Sequence, residues 1–128
     1  MNKIVQIKIF NDILDQFFDY LEEHFVYFKS DVILSRSTAE FIRKSNPRLV
    51  VEQFMGHVGP YEREIFSCDE NFFLNFERNL AHNLTNENLI FGSKIKAMWV
   101  SPDITDKQKA HIWLYFQKLI KAGSKVVM

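Results

Sequence analysis

Apolar side chains recur at steps of three and four residues along nearly the whole chain, and that spacing admits little besides α-helix. It is clearest at the start. Ile7, Phe10, Leu14, Phe17, Leu21, His24 and Phe28 fall on one stripe, widened by Phe18 and Phe25. Asp12, Asp15, Asp19, Glu22 and Glu23 fall on the other side. This binary pattern predicts a first helix over residues 5–28 with one face in a core. Only four Gly and three Pro interrupt the 128 residues. An all-β domain needs more frequent turn signals.

The same reading carries through the chain. A second helix follows Ser30-Asp31, with Leu34, Phe41 and Ile42 expected inward. Asn46-Pro47 is a start signal, Asn as cap and Pro at the first helical position, where its missing N–H costs nothing. Val50, Val51, Phe54, Met55 and Val58 line the third helix, which Gly59-Pro60 ends. A short turn with Tyr61, Ile65 and Phe66 comes next. Ser67-Cys68-Asp69-Glu70 has the form of a capping box and predicts a helix carrying Phe72, Phe73, Phe76 and Leu80. Residues 83–88 are a polar connection. Residues 89–100 read as helix or strand and stop at Ser101-Pro102. Thr105 to Gln108 forms a second capping box, opening a last helix with Ile112, Trp113, Phe116, Leu119 and Ile120 apolar and Gly123 at its end. The expected fold is all-α, a single domain over 1–128, an irregular bundle of five to seven amphipathic helices. Thirteen Phe point to a core of Phe, Leu and Ile.

Signatures of chemistry are scarce. Four scattered glycines build neither a phosphate-cradling loop nor a dinucleotide fingerprint. His24, His57, His82 and His111 lie far apart, with no HExxH or CxxC, so a metal would need a site assembled in space, such as His57 with Glu62 or Asp69. His24 reads as a core or boundary histidine. Cys68 is the one cysteine, which rules out an intramolecular disulfide. At a helix start its thiol would be acidified, yet one thiol with unplaced histidines does not make a nucleophile pair. The expectation is no catalytic residue, no metal and no cofactor. No apolar run reaches the roughly 18 residues of a membrane span, and the N-terminus lacks a signal-peptide pattern. The Asn83-Leu84-Thr85 sequon is read as coincidence.

Charge is balanced overall, 16 basic against 16 acidic residues, but it is not evenly spread. Residues 62–93 hold six acids and two bases, a balance of −4, and residues 94–128 hold seven lysines and two aspartates, a balance of +5. Ordinary solvated helix faces account for such a split. Two sharper readings stand beside that one. Asp12, Asp15, Asp19 and Glu22 form an acidic stripe suited to docking another protein. If it is exposed, charge reversal at Asp15 and Asp19 leaves stability unchanged. Lys107, Lys118, Lys121 and Lys125, with Lys94 and Lys96 ahead of them, could contact nucleic-acid phosphates. Trp99 is then a stacking candidate, whereas Trp113 belongs to the apolar stripe.

Three stretches together carry a resemblance: FNDILDQFFDYLEEHF (10–25), NPRLVVEQFMGHVGPYEREIFSCDENFF (46–73) and KAMWVSPDITDKQKAHIWLYFQKLIK (96–121). Their order, with the Pro60-Tyr61 break and the Ile-Trp-x-Tyr-Phe-Gln helix, resembles a group of small uncharacterised proteins of nucleocytoplasmic large DNA viruses infecting algae and amoebae. The resemblance implies a viral protein acting in the host cytoplasm, with packaging in the virion as a further expectation. It brings no catalytic residues. Asn46, Pro47, Pro60, Tyr61, Glu70, Phe73, Trp99 and Trp113 match it and read as caps, breaks and core. The functional expectation is a non-enzymatic helical module that binds another protein, viral or host, or a second copy of itself. The alternative is an accessory nucleic-acid-binding protein using the basic C-terminal region. An enzyme with a spatially assembled site is a third class, which would require a pocket lined by convergent polar groups.

Overall fold

A computed structural model describes residues 2–75 and 94–127. Phe76, Leu80, His82, the polar connection at 83–88 and the first part of the 89–100 segment lie outside the described residues. The helices are α1 (Lys3–His24), α2 (Lys29–Ser45), α3 (Pro47–Val58), α4 (Glu62–Phe66), α5 (Asn71–Leu74), α6 (Lys94–Trp99) and α7 (Asp106–Val127). Single 3-10 turns at Val26–Phe28 and Gly59–Tyr61 join α1 to α2 and α3 to α4. The described residues contain no strand, and residues 94–99 are helix.

α1 and α7, each 22 residues long, run antiparallel and form the spine. Their ends are tied together. Lys3 Nζ donates to Val126 O at 2.7 Å, and Gln108 Nε2 donates to His24 O at 3.4 Å. Arg48 of α3 also donates to Val126 O, so two cations sit where the α7 macrodipole is negative. One core cluster draws on every helix, and its centre is aromatic. Phe73 stacks on Trp99 at 4.5 Å and meets Phe116 edge-on at 5.2 Å. Phe17 stacks on Tyr115, and Phe10 packs edge-on against Phe54. Offset and edge-on pairs of this kind add to the stabilisation that burial alone gives.

Two start signals form as read. Asn46 Oδ1 accepts from Arg48 N at 3.1 Å with Pro47 opening α3. Thr105 and Gln108 exchange both bonds of a capping box, at 3.0 and 3.1 Å. The Ser67–Glu70 box does not form. Cys68 N donates to Ile65 O, and Asp69 N donates to Glu64 O. That is the Schellman pattern, which closes α4 with Cys68 in the left-handed conformation at φ 56°. Ser67 Oγ serves Glu64 O in the helix behind it, and Asp69 caps α5 through Asn71 N.

Other expectations shift for packing reasons. α1 stops at His24, which is exposed, and Phe25 takes the buried place. Gly123 does not end the last helix. It is buried inside α7, where a Cβ would stand 2.5 Å from Met55 Sδ, so its smallness lets α3 approach. α2 is turned about half a revolution from the expected phase. Val32, Ser35 and Ala39 are buried, Ile42 is half-buried, and Leu34 and Phe41 face out.

Candidate functional site

The acidic stripe of α1 meets α2. Asp15 lies seven residues before Glu22, and Arg36 lies seven before Arg43, so antiparallel helices bring the two sets into register. Arg43 Nη2 pairs with Asp15 Oδ1 at 2.9 Å, and its Nη1 donates to Asn11 O. Arg36 pairs with Asp19 at 2.6 Å and with Glu22, donates to Asp15 O at 2.9 Å, and lies over the Phe18 ring. Burial alone would pull the Arg36 guanidinium down. Its hydrogen bonds and attraction to Asp19 and Glu22 outweigh that and hold it above its ordinary value. Asp12 pairs with Lys8 one turn away at 2.8 Å, a bond that raises the Lys8 ammonium. All four carboxylates of the stripe therefore have a cation from the same chain. An incoming basic partner would have to compete with Arg36 and Arg43, and reversing Asp15 or Asp19 would place a lysine beside an arginine.

Pinning α2 this way fixes what its other side presents. Tyr27, just ahead of α2, is 89% exposed, Leu34 is 53% exposed and Phe41 is 74% exposed. They recur every seven residues, with Val26 and Ile33 exposed beside them. Large aromatic side chains left in water are the informative kind of exposure, since such surface marks binding. Sequence reading missed these residues by assigning Leu34 and Phe41 to the core. The available signal was the match between the Arg36–Arg43 spacing and that of Asp15–Glu22.

Lys107, Lys118, Lys121 and Lys125 are all exposed on one side of α7. At 1.5 Å per residue they span about 27 Å. Among the described residues none of the four has an ion-pair partner. Lys118 lies over Tyr115 and Lys121 over Phe66. Trp99 and Trp113 are both buried, so neither can stack on a base.

The remaining chemistry is dispersed. Among the described residues no three His, Cys, Asp or Glu side chains are grouped to hold a metal. Cys68 is exposed, with Gln117 Nε2 at 3.7 Å from its sulfur. His111 stands edge-on to Tyr20, against which His24 also packs. A groove of about 200 Å³ opens at the end of the spine, lined by His24, Phe25, Tyr27, Asp103, Ile104 and Gln108 among others. Among the described residues no helix is long and apolar enough to cross a membrane. Compared with family models, curated proteins and solved structures, the chain matches none.

Proposed function

We propose that this chain is a non-enzymatic interaction module that docks another protein, or a second copy of itself, through the outer face of α2. The observation that carries this is Phe41, 74% exposed at the far end of the apolar stripe that begins at Tyr27 and Leu34, on a helix ion-paired to α1 from behind. Exposed aromatics supply the energetic centre of most protein interfaces. Helix-on-groove and helix-on-helix recognition both use anchors at this spacing. The acidic stripe then holds the docking helix in place rather than being the docking surface itself. A viral setting and a place in the host cytoplasm or virion rest on the sequence resemblance alone.

The test is capture. Tagged wild-type chain and a Phe41→Glu variant are expressed in the same cells, and bound proteins are identified by mass spectrometry. Circular dichroism first establishes that the variant keeps its helix content. A partner held by the wild type and lost with Phe41→Glu supports the reading. Untagged wild-type chain is co-expressed so that a second copy is also seen, and a set of captured proteins that is unchanged by Phe41→Glu, second copies included, overturns it.

The unpaired lysine stripe of α7 favours a second reading, contact with nucleic-acid phosphates. Such binding would be nonspecific in sequence, because lysine acts as a point charge and the tryptophans are buried. It should weaken steeply with salt as counterions are released. A gel shift with no affinity at low salt dismisses it.

A further inference from the structure

We infer that the outer face of α2 is covered by a second copy of this chain, paired antiparallel about a twofold axis between Ser37 and Thr38. The inference rests on the docking face proposed above and names its occupant. An isologous interface must be complementary to itself. Outward along α2 the residues read Ser30, Leu34, Ser37 and Thr38, Phe41, Ser45, a sequence nearly symmetric in size about its centre. Antiparallel pairing about that centre sets Leu34 against Phe41 of the second copy, and Phe41 against its Leu34. Ser37 and Thr38 cross where the helices come closest. Thr38 Oγ1 already donates to Leu34 O at 2.9 Å, so its hydroxyl is satisfied within α2.

Charge selects the same occupant. The face is flanked by Lys29, Asp31, Glu40 and Lys44, two of each sign, while Arg36 and Arg43 are spent on α1. A surface without net charge meets its own copy without repulsion and gives a strongly acidic or basic partner nothing to prefer. Opposed helix dipoles favour the antiparallel sense. The area is sufficient. Two exposed aromatics and their aliphatic neighbours offer on the order of 600 Å² per copy, about 1,200 Å² in all, the lower edge of specific interfaces.

Sedimentation of the full chain over about a hundred-fold concentration range, reaching the upper micromolar, reads the assembly directly. The mass should rise towards twice that of one chain, and Phe41→Glu should remain at one. Register is read by disulfides in a Cys68→Ser background. Ser37→Cys should link to itself under mild oxidation, since the axis brings both copies of position 37 within disulfide reach. Ser45→Cys should link only when mixed with Ser30→Cys. A wild type that stays at one chain throughout, or a double-mass species indifferent to Phe41→Glu, overturns the proposal. If the wild type stays single while Phe41→Glu still loses a captured protein, the second copy is refuted and the docking face survives. If capture is also unchanged, both fall.

Discussion

Gly123→Ala should destabilise the protein, although the same change in an open helix would stabilise it. Position 123 is buried in the last quarter of α7, with ordinary helical neighbours on both sides. Replacing an interior helical glycine by alanine gains about 1 kcal/mol from backbone entropy. Here the new Cβ would lie 2.5 Å from Met55 Sδ and 2.7 Å from Met55 Cγ, with Phe10 Cε2 at 3.5 Å behind it. Contacts that short force movement, and overpacking a core costs roughly 1–3 kcal/mol. The net loss should be up to about 2 kcal/mol, held to that size because methionine is adaptable and Met55 is only half-buried. Shortening Met55 to Ala removes both clashing atoms. In that background Gly123→Ala should recover its intrinsic gain and stabilise by about 1 kcal/mol. The double-mutant cycle therefore predicts a change of sign and a coupling of about 1–3 kcal/mol, the overpacking cost itself. Urea unfolding followed by fluorescence of the buried Trp99 and Trp113 measures all four corners. A Gly123→Ala gain of equal size in both backgrounds would refute the close approach of α3 to α7.

Four further outcomes follow from particular residues. Cys68→Gly should stabilise by about 1 kcal/mol in the same assay, because φ 56° strains any residue with a Cβ. Thr105→Ala should cost about 1 kcal/mol, removing the acceptor that caps Gln108 N at the start of α7. Reversing Asp15 and Asp19 together to lysine should cost roughly 1–3 kcal/mol, whereas reversing Asp12 alone should stay within about 0.5 kcal/mol; equal effects would contradict the α1–α2 seam. The Tyr20 phenol is raised, first by burial and then by Tyr115, so the fold favours its neutral form. That contribution is complete below about pH 10 and is lost as pH rises from there through the folded value. Titration near the phenolate absorption band, with Tyr20→Phe removing a late component, checks it.

Periodicity was legible wherever apolar residues were large and the competing face was plainly polar. α1 and α7 satisfy both conditions, as does α3 with its Asn46-Pro47 start. The phase of α2 was not legible from hydrophobicity because its buried residues are small. Val32, Ser35 and Ala39 bury less area than Leu34 and Phe41 would, so an area criterion chooses the wrong side. Phe41 and Ala39, two residues apart, lie about 200° apart around the helix, so the error inverts the face. Ser67 to Glu70 failed for a related reason. The residues that signal a helix start also suit a helix end, and only the long-range packing of α4 on α7 decides which. Candidate surfaces inherit these limits. Exposure of the lysine stripe followed from the α7 pattern, whereas the acidic stripe needed its partners on another helix to be read correctly.

The orientation of α2 links the two surfaces into one argument. Turned the other way, Leu34 and Phe41 would be buried, which is worth about 2 kcal/mol or more for each. That rotation would carry Arg36 and Arg43 away from α1 and leave Asp15, Asp19 and Glu22 to repel one another along a single helix face. In the arrangement observed, two arginines answer three carboxylates, and small residues allow α2 close to α1. An isolated chain gives up the burial of two large side chains to achieve this. Covering Phe41 and Leu34 with another helix returns that burial without disturbing the arginine seam. The seam and the exposed face are thus two consequences of a single rotation. For the docking proposed at α2, reversing Asp15 and Asp19 to lysine should weaken self-association in sedimentation, although both carboxylates meet α2 on the side away from Phe41.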